Sequence, residues 1–258
     1  MTEPTGTRVR YDIQHPPGVV ARVLVNDVPF YQDLVDYYAS PSGRFNHLLL
    51  QGENTITFAI DEVSPDPYVI RRFTLKLVNH ETEQVLFTEN YPGLFEQYPK
   101  EERKLPFVHH AKFLFDEETP KPVWLDAPKE SFGPEGTPDQ HKAVFELWDA
   151  YNRQDIDDFL KAMELKTAEF QKFYGLMPEL SADAARAEYG AALKEPWDLE
   201  PFDPKQLLFE RRCDGRVVHV LRNDGGFALR ARHKTDPVRS WNARLLMTRV
   251  EGRWRIFW

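Results

Sequence analysis

Three side chains in the last fifth of the sequence are of the kinds that proton-transfer chemistry uses: Glu210, His219 and Arg230. Asp214-Gly215, between LLFERRC and RVVHVLR, is a strong two-residue hairpin signal. Pairing outward from it sets Cys213 opposite Arg216, Arg211 opposite Val218, Glu210 opposite His219 and Phe209 opposite Val220. With residues 223–226 as the next loop, Val220 faces Leu229, Val218 faces Ala231 and His219 faces Arg230. One sheet face then gathers a carboxylate, an imidazole and a guanidinium, and a carboxylate beside a histidine can orient it as an acid or base. The opposite face, Phe209, Val218, Val220, Leu229 and Ala231, is apolar and is the one that should meet helices. The ladder, with Arg212 and Arg232 as neighbours, is therefore expected to point to solvent and to serve as a contact surface.

Other chemistry finds little support. His109 and His110 are adjacent on a strand pattern, so their side chains point to opposite faces and do not readily share an ion. His15, His47 and His80 lie in different segments, and no H-x-x-x-H or H-E-x-x-H spacing exists. Asp61, Glu62 and Asp66 lack the twelve-residue calcium-loop pattern and sit beside Pro65 and Pro67. Phosphate-cradling glycine loops and the G-x-S-x-G elbow are absent. Cys213 is the single cysteine, which rules out an intrachain disulfide and reads as a half-buried thiol with no activating neighbour. The expectation is a chain with no metal, no cofactor and no catalytic residue.

Charge narrows the partners. The net charge of −8 hides an asymmetry: from Lys205 onward there are 13 Lys+Arg against 5 Asp+Glu, a balance of +8, and residues 1–204 hold 20 against 36, a balance of −16. The basic end carries Arg211, Arg212, Arg216, Arg222, Arg230, Arg232, Arg239, Arg244, Arg249, Arg253 and Arg255. Guanidinium forks suit carboxylates, so an acidic partner protein fits, or the chain's own acidic groups. Nucleic acid is unfavoured, because the acidic remainder repels it and no stacking aromatics interleave the arginines. No apolar run approaches the roughly 18 residues of a membrane span and no signal segment opens the sequence, so a cytoplasmic protein with no membrane contact is expected.

The elements that must position these residues change type along the chain. Residues 1–120 are rich in β-branched and aromatic residues in short runs. Asn26-Asp27 is a turn between two apolar runs; Ile56, Phe58 and Ile60 alternate with Thr55, Thr57 and Ala59, and Phe73, Leu75 and Leu77 alternate likewise. Gly52 and Asn54 are turn-shaping residues. Residues 121–138, rich in proline and glycine, read as a linker pinned to a surface by Trp124 and Phe132. In residues 139–258, Val144, Leu147, Trp148 and Tyr151 fall on one face of a helix. Asp155 caps a second helix running to Tyr174, and Ser181 starts a third that Pro196 stops. Strands follow, and Glu251-Gly252 sets Met247 opposite Ile256 and Leu245 opposite Trp258.

Asn26, Pro29, Asn46, Leu49, Gly52, Asn54, Thr55 and Ile56 form a pattern that resembles jelly-roll or immunoglobulin-like accessory domains over about forty residues. Ala150, Tyr151 and Asp155, then Arg249, Val250, Gly252, Trp254 and Ile256 in an R-V-x-G-x-W-x-I ending, resemble the cystatin-like cone of the nuclear-transport-factor-two-like superfamily. The resemblances imply two domains: an all-β sandwich, then an α+β cone of three helices followed by an antiparallel meander. They also imply a pocket inside the cone lined by Trp148, Tyr151, Tyr189, Trp197 or Trp241. The expected function is non-catalytic protein binding, of a bacterial accessory or immunity type, through Arg212, Glu210, His219, Arg230 and Arg232. The alternative is a small-molecule-binding protein or enzyme using the cone. A further alternative is carbohydrate binding by the sandwich through Tyr37, Tyr38, Tyr68 or Tyr91. A homodimer through the C-terminal sheet stays open.

Overall fold

The structure, a computed structural model, describes residues 8–15, 18–32, 42–66, 68, 71–174, 182–236 and 238–258. It is a mixed α+β protein with four antiparallel sheets and five α-helices among the described residues. Contacts divide the chain into two compact units, Met1–Lys121 and Pro122–Trp258.

The first unit holds eight strands: β1 (Val9–Gln14), β2 (Val19–Val25), β3 (Val28–Gln32), β4 (Ser42–Arg44), β5 (Gly52–Val63), β6 (Phe73–Asn79), β7 (Val85–Tyr91) and β8 (Phe107–Phe115), with the one-turn helix α1 (Gly93–Glu96) before the last. They form two sheets, in the orders β4-β1-β6-β7 and β3-β2-β5-β8. The alternating residues Ile56, Phe58 and Ile60 are buried, as are Phe73, Leu75 and Leu77, which is what period-two patterning requires. Aromatic pairs join the sheets, Tyr11 with Phe30 at 4.7 Å and Phe87 with Phe113 at 5.9 Å between ring centroids.

Asn26 and Asp27 take φ of 52° and 65°, the left-handed pair that a tight turn between twisted strands demands. Asn54 is fully buried and fully used: its Nδ2 donates to the Leu50 carbonyl at 2.8 Å and to that of Gly52 at 3.0 Å, and its Oδ1 accepts from the Leu50 amide and from Asn26 Nδ2. Asn54 and Asn26 thus fasten the 48–54 loop to the β2–β3 turn, an architectural use of both residues.

The second unit begins with the segment expected as a linker. From Pro122 that stretch packs within the unit, because Trp124 is buried and Phe132 meets Trp254 edge to face at 5.9 Å. Four helices follow: α2 (Pro138–Asn152), α3 (Ile156–Ala162), α4 (Glu164–Tyr174) and α5 (Ala182–Lys194). A capping box starts α2, with the Gln140 amide donating to Thr137 Oγ1 and the Thr137 amide to Gln140 Oε1. Asp155 caps α3 by accepting from the amides of Asp157 and Asp158, each at 3.1 Å. The expected second helix is two, since Met163 leaves helical geometry at ψ 4° while its side chain is buried beside Phe159. Ser181, the expected start of the last helix, lies outside the described residues.

Strands β9 (Trp197–Leu199), β10 (Leu207–Arg212), β11 (Val217–Arg222), β12 (Leu229–His233), β13 (Ser240–Ala243), β14 (Leu245–Val250) and β15 (Arg253–Ile256) make two sheets, β10-β11-β14-β15 and β13-β12-β9. The β10–β11 register pairs Phe209 with Val220, Glu210 with His219 and Arg211 with Val218, as expected from Asp214-Gly215. Met247 likewise pairs with Ile256. The continuation into β12 is different. The hairpin begun by residues 223–226 lasts one bridge, Leu221 to Phe227, and β12 then departs to pair with β9 and β13. Strand β14 takes the vacant place, so His219 faces Leu246 and not Arg230, and Val220 faces Leu245 and not Leu229. The expected single meander is therefore divided between two sheets.

Candidate functional site

Of the five residues expected to form a contact surface, the fold gathers three. Arg212 Nη2 donates to Glu210 Oε2 at 2.7 Å, and His219 Nδ1 lies 3.5 Å from the same oxygen. His219 is only 3% exposed, which corrects the expectation that the ladder points to solvent. The cause is that β11 and β14 are buried on both faces, with Val217, Leu221, Leu246 and Thr248 as inaccessible as the residues alternating with them. The contact with His219, and secondarily Arg212, holds the Glu210 carboxyl down at about 2 against the opposing effect of burial. Burial lowers His219, more than Glu210 can offset, and Arg244 adds to the lowering. The result is a neutral imidazole beside an ionised carboxylate already claimed by Arg212. Arg230 stands in the other sheet, bonded to Glu200 at 3.3 Å and Asp224 at 3.0 Å, and Arg232 is exposed on the same strand.

Four of the other arginines are neutralised internally. Arg222 pairs with Glu200 at 3.2 Å, Arg239 with Glu195, Arg249 with Glu130, and Arg255 with Glu164 at 3.1 Å. Among the described residues Arg211, Arg216, Arg232 and Arg253 have no ion pair.

The five aromatics expected to line a pocket have their faces occupied by protein. Tyr151 stacks on Trp241 with centroids 4.4 Å apart. Trp148 stacks on Phe145 and donates its indole N–H to the Glu200 carbonyl at 2.9 Å. Tyr189 meets Phe159 at 5.4 Å; Trp197 meets His233, donates to the Ala192 carbonyl and carries Arg239 over its ring. These contacts spend the interior between helices and strands on packing. Of these five aromatics one, Tyr151, has a buried hydroxyl without a hydrogen-bond partner among the described residues, and burial, then the Glu195 charge, raises it.

An open cleft of 370 Å³ lies elsewhere, between the outward side of α2 and α3 and the edge strand β15. Its apolar wall is Phe145, Ala162, Trp254 and Ile256. Arg153 fans across its acidic side, reaching Asp149 at 2.9 Å, Asp155 at 3.0 Å and Asp158 at 2.7 Å, and these bonds raise it. Glu146 has Lys142 at 3.9 Å. The carboxylates of the cleft are thus committed, and the lining cations Lys161 and Arg253 have no ion pair among the described residues. Arg253 belongs to the basic set visible in the sequence. Lys161 does not; the signal that finds it is helical spacing from the Asp155 cap, which puts Asp158 and Lys161 one turn apart.

Two further expectations meet the structure here. His109 and His110 point apart, the first to Tyr98 and the second to Thr57, and among the described residues no group of three His, Cys, Asp or Glu could hold a metal ion. Tyr37 and Tyr38 lie outside the described residues, Tyr68 is exposed, and Tyr91 is buried against Phe95, so Tyr91 offers no open face to a sugar. No helix of the described residues is long and apolar enough to cross a membrane. Set against known proteins, the chain matches no family model, no curated protein and no solved structure.

Proposed function

We propose that this chain is a non-catalytic binding protein that holds an acidic segment of another protein in the cleft between α2, α3 and β15, through Lys161 and Arg253. The observation that carries the reading is the charge accounting of that cleft: its carboxylates are paired, and two of its cations are not. Unpaired guanidinium and ammonium groups above an apolar wall suit a carboxylate-bearing chain with some apolar contact. The contact surface moves from the predicted ladder to the cleft, since Glu210, Arg212 and His219 satisfy one another and Arg230 is spent on Glu200 and Asp224. In this reading the first unit is the β-sandwich and the second a variant of the cystatin-like cone. Helices preceding antiparallel strands and the R-V-x-G-x-W-x-I hairpin support the assignment. Lys161→Glu with Arg253→Glu is expected to abolish salt-sensitive capture of an acidic partner by the tagged protein, while Arg211→Glu with Arg232→Glu leaves it intact. The reverse pattern moves the contact back to the sheet and removes this reading.

A second reading, a small ligand inside the cone, is favoured by the Tyr151 hydroxyl alone, whose unmet bond is what a bound polar group would satisfy.

A further inference from the structure

Strand β8 ends its sheet: it is bonded to β5 along nine residue pairs, and among the described residues no backbone bond reaches its other side. Long, uncovered edges of this kind invite another strand, and proteins that must stay apart blunt them with proline, bulges or charge. Here the blunting is slight. The strand has no proline, and its one charged side chain, Lys112, is turned toward Glu53 at 3.0 Å. On the same outward face Val108 is 49% and Leu114 is 63% exposed, an apolar residue near each end.

We propose that β8 pairs antiparallel with β8 of a second copy of this chain, about a two-fold axis at Ala111, joining two four-stranded sheets into one. A two-fold centred on any residue keeps the outward side chains on a common face, and the centres that overlap most of the strand are His110, Ala111 and Lys112. Centred on Lys112, that residue meets its own copy, like charge against like. Centred on His110, Val108 meets Lys112. Centred on Ala111, Val108 of each copy meets Leu114 of the other twice, covering both exposed apolar residues at once, with small Ala111 on the axis. Charge beyond the strand ends agrees with this arrangement. Lys104 precedes the strand and Asp116, Glu117 and Glu118 follow it, so antiparallel pairing brings the basic start of one copy beside the acidic end of the other. This inference is independent of the cleft and its occupant.

The test is the solution mass of the full chain as a function of concentration, with disulfide trapping. The unmodified protein is expected to approach twice 30.2 kDa as concentration rises. Val108→Lys with Leu114→Lys, both at exposed positions that the fold tolerates, is expected to weaken the dimer at least ~tenfold. On a Cys213→Ser background, Val108→Cys with Leu114→Cys is expected to form a covalent dimer on oxidation, while either cysteine alone does not. Residues 108 and 114 of one strand stand about 20 Å apart, so the bridge must lie between copies. A protein monomeric at every concentration overturns the proposal, as does a dimer that the lysine pair leaves unchanged, which assigns assembly to another surface. A monomer that instead binds a strand-forming peptide along β8 also overturns self-pairing and gives the edge a different occupant.

Discussion

A buried histidine and the half-buried carboxylate beside it contribute to the acid response of the second unit. His219 sits between Glu210 and Leu246, with Arg212 and Arg244 as the nearby cations, and burial keeps it neutral. Because its folded pKa lies below the unfolded 6.5, the unfolded chain takes the proton first, so stability is complete above about pH 6.5 and falls as pH drops. Glu210 is lowered from 4.5 to about 2, so its contribution is complete above 4.5 and is lost as pH falls toward 2. Melting temperature is therefore expected to be flat at neutral pH, to decline below pH 6.5 as His219 titrates and to decline below 4.5 as Glu210 titrates. Between its unfolded and folded values each group costs about 1.4 kcal/mol per pH unit. His219→Gln should remove the upper limb and keep the lower one; a wild-type profile flat from pH 7 to 5 would refute the buried neutral histidine. Tyr151 makes a second prediction. If nothing partners its hydroxyl, Tyr151→Phe removes a buried unsatisfied group and raises stability by ~1 kcal/mol, read from denaturant midpoints. A loss of similar size shows that a bound water or ligand uses the hydroxyl, and favours the cone reading. At this scale the Glu210–His219 pairing was legible, because Asp214-Gly215 fixes register locally. The burial of His219 was not, because it depends on what covers the far face of the sheet.

Elements were legible where a local rule acts without competition. The Asp214-Gly215 turn places φ of 57° and 86° where the dipeptide predicts left-handed residues. Gly215 also touches the Glu130 backbone: an added Cβ would lie 2.1 Å from the Glu130 oxygen. Gly215→Ala is accordingly expected to cost about 1–3 kcal/mol or more, with an unchanged denaturant slope. An alanine variant as stable as the parent would show that the 122–137 segment is not packed on this turn. Residues 223–226 look equally like a hairpin loop, but β12 leaves after one bridge. That choice is tertiary, made by the partners β14 offers β11 and β9 offers β12, and no short-range signal records it. The break at Met163 is of the same kind, since neither proline nor glycine marks it and the buried side chain beside Phe159 accompanies the change in backbone.

Across the whole molecule, the uneven charge is the feature that the sequence made plain and whose meaning the structure alters. A terminal segment carrying +8 against a remainder carrying −16 suggests a basic face seeking an acidic partner. Within the second unit, Glu130, Glu164, Glu195 and Glu200 absorb much of that excess, each meeting an arginine of the terminal segment. Among the described residues Arg211, Arg216, Arg232 and Arg253 keep no ion pair, and of these Arg253, on an edge strand, shares the wall of one cleft with the unpaired Lys161 of the helix facing it. Exposed pairs are worth little, ~0–1 kcal/mol, so the internal pairing is better understood as removing competing sites than as holding the fold. The most direct measurement is an amide NMR titration of the full-length protein with a glutamate-rich peptide at low ionic strength. The account predicts saturable shifts on residues lining the α2, α3 and β15 cleft, centred on Lys161 and Arg253, that vanish at high salt and in the Lys161→Glu, Arg253→Glu variant. Shifts centred on Arg211 and Arg232, or no saturable shift in the cleft, would contradict it.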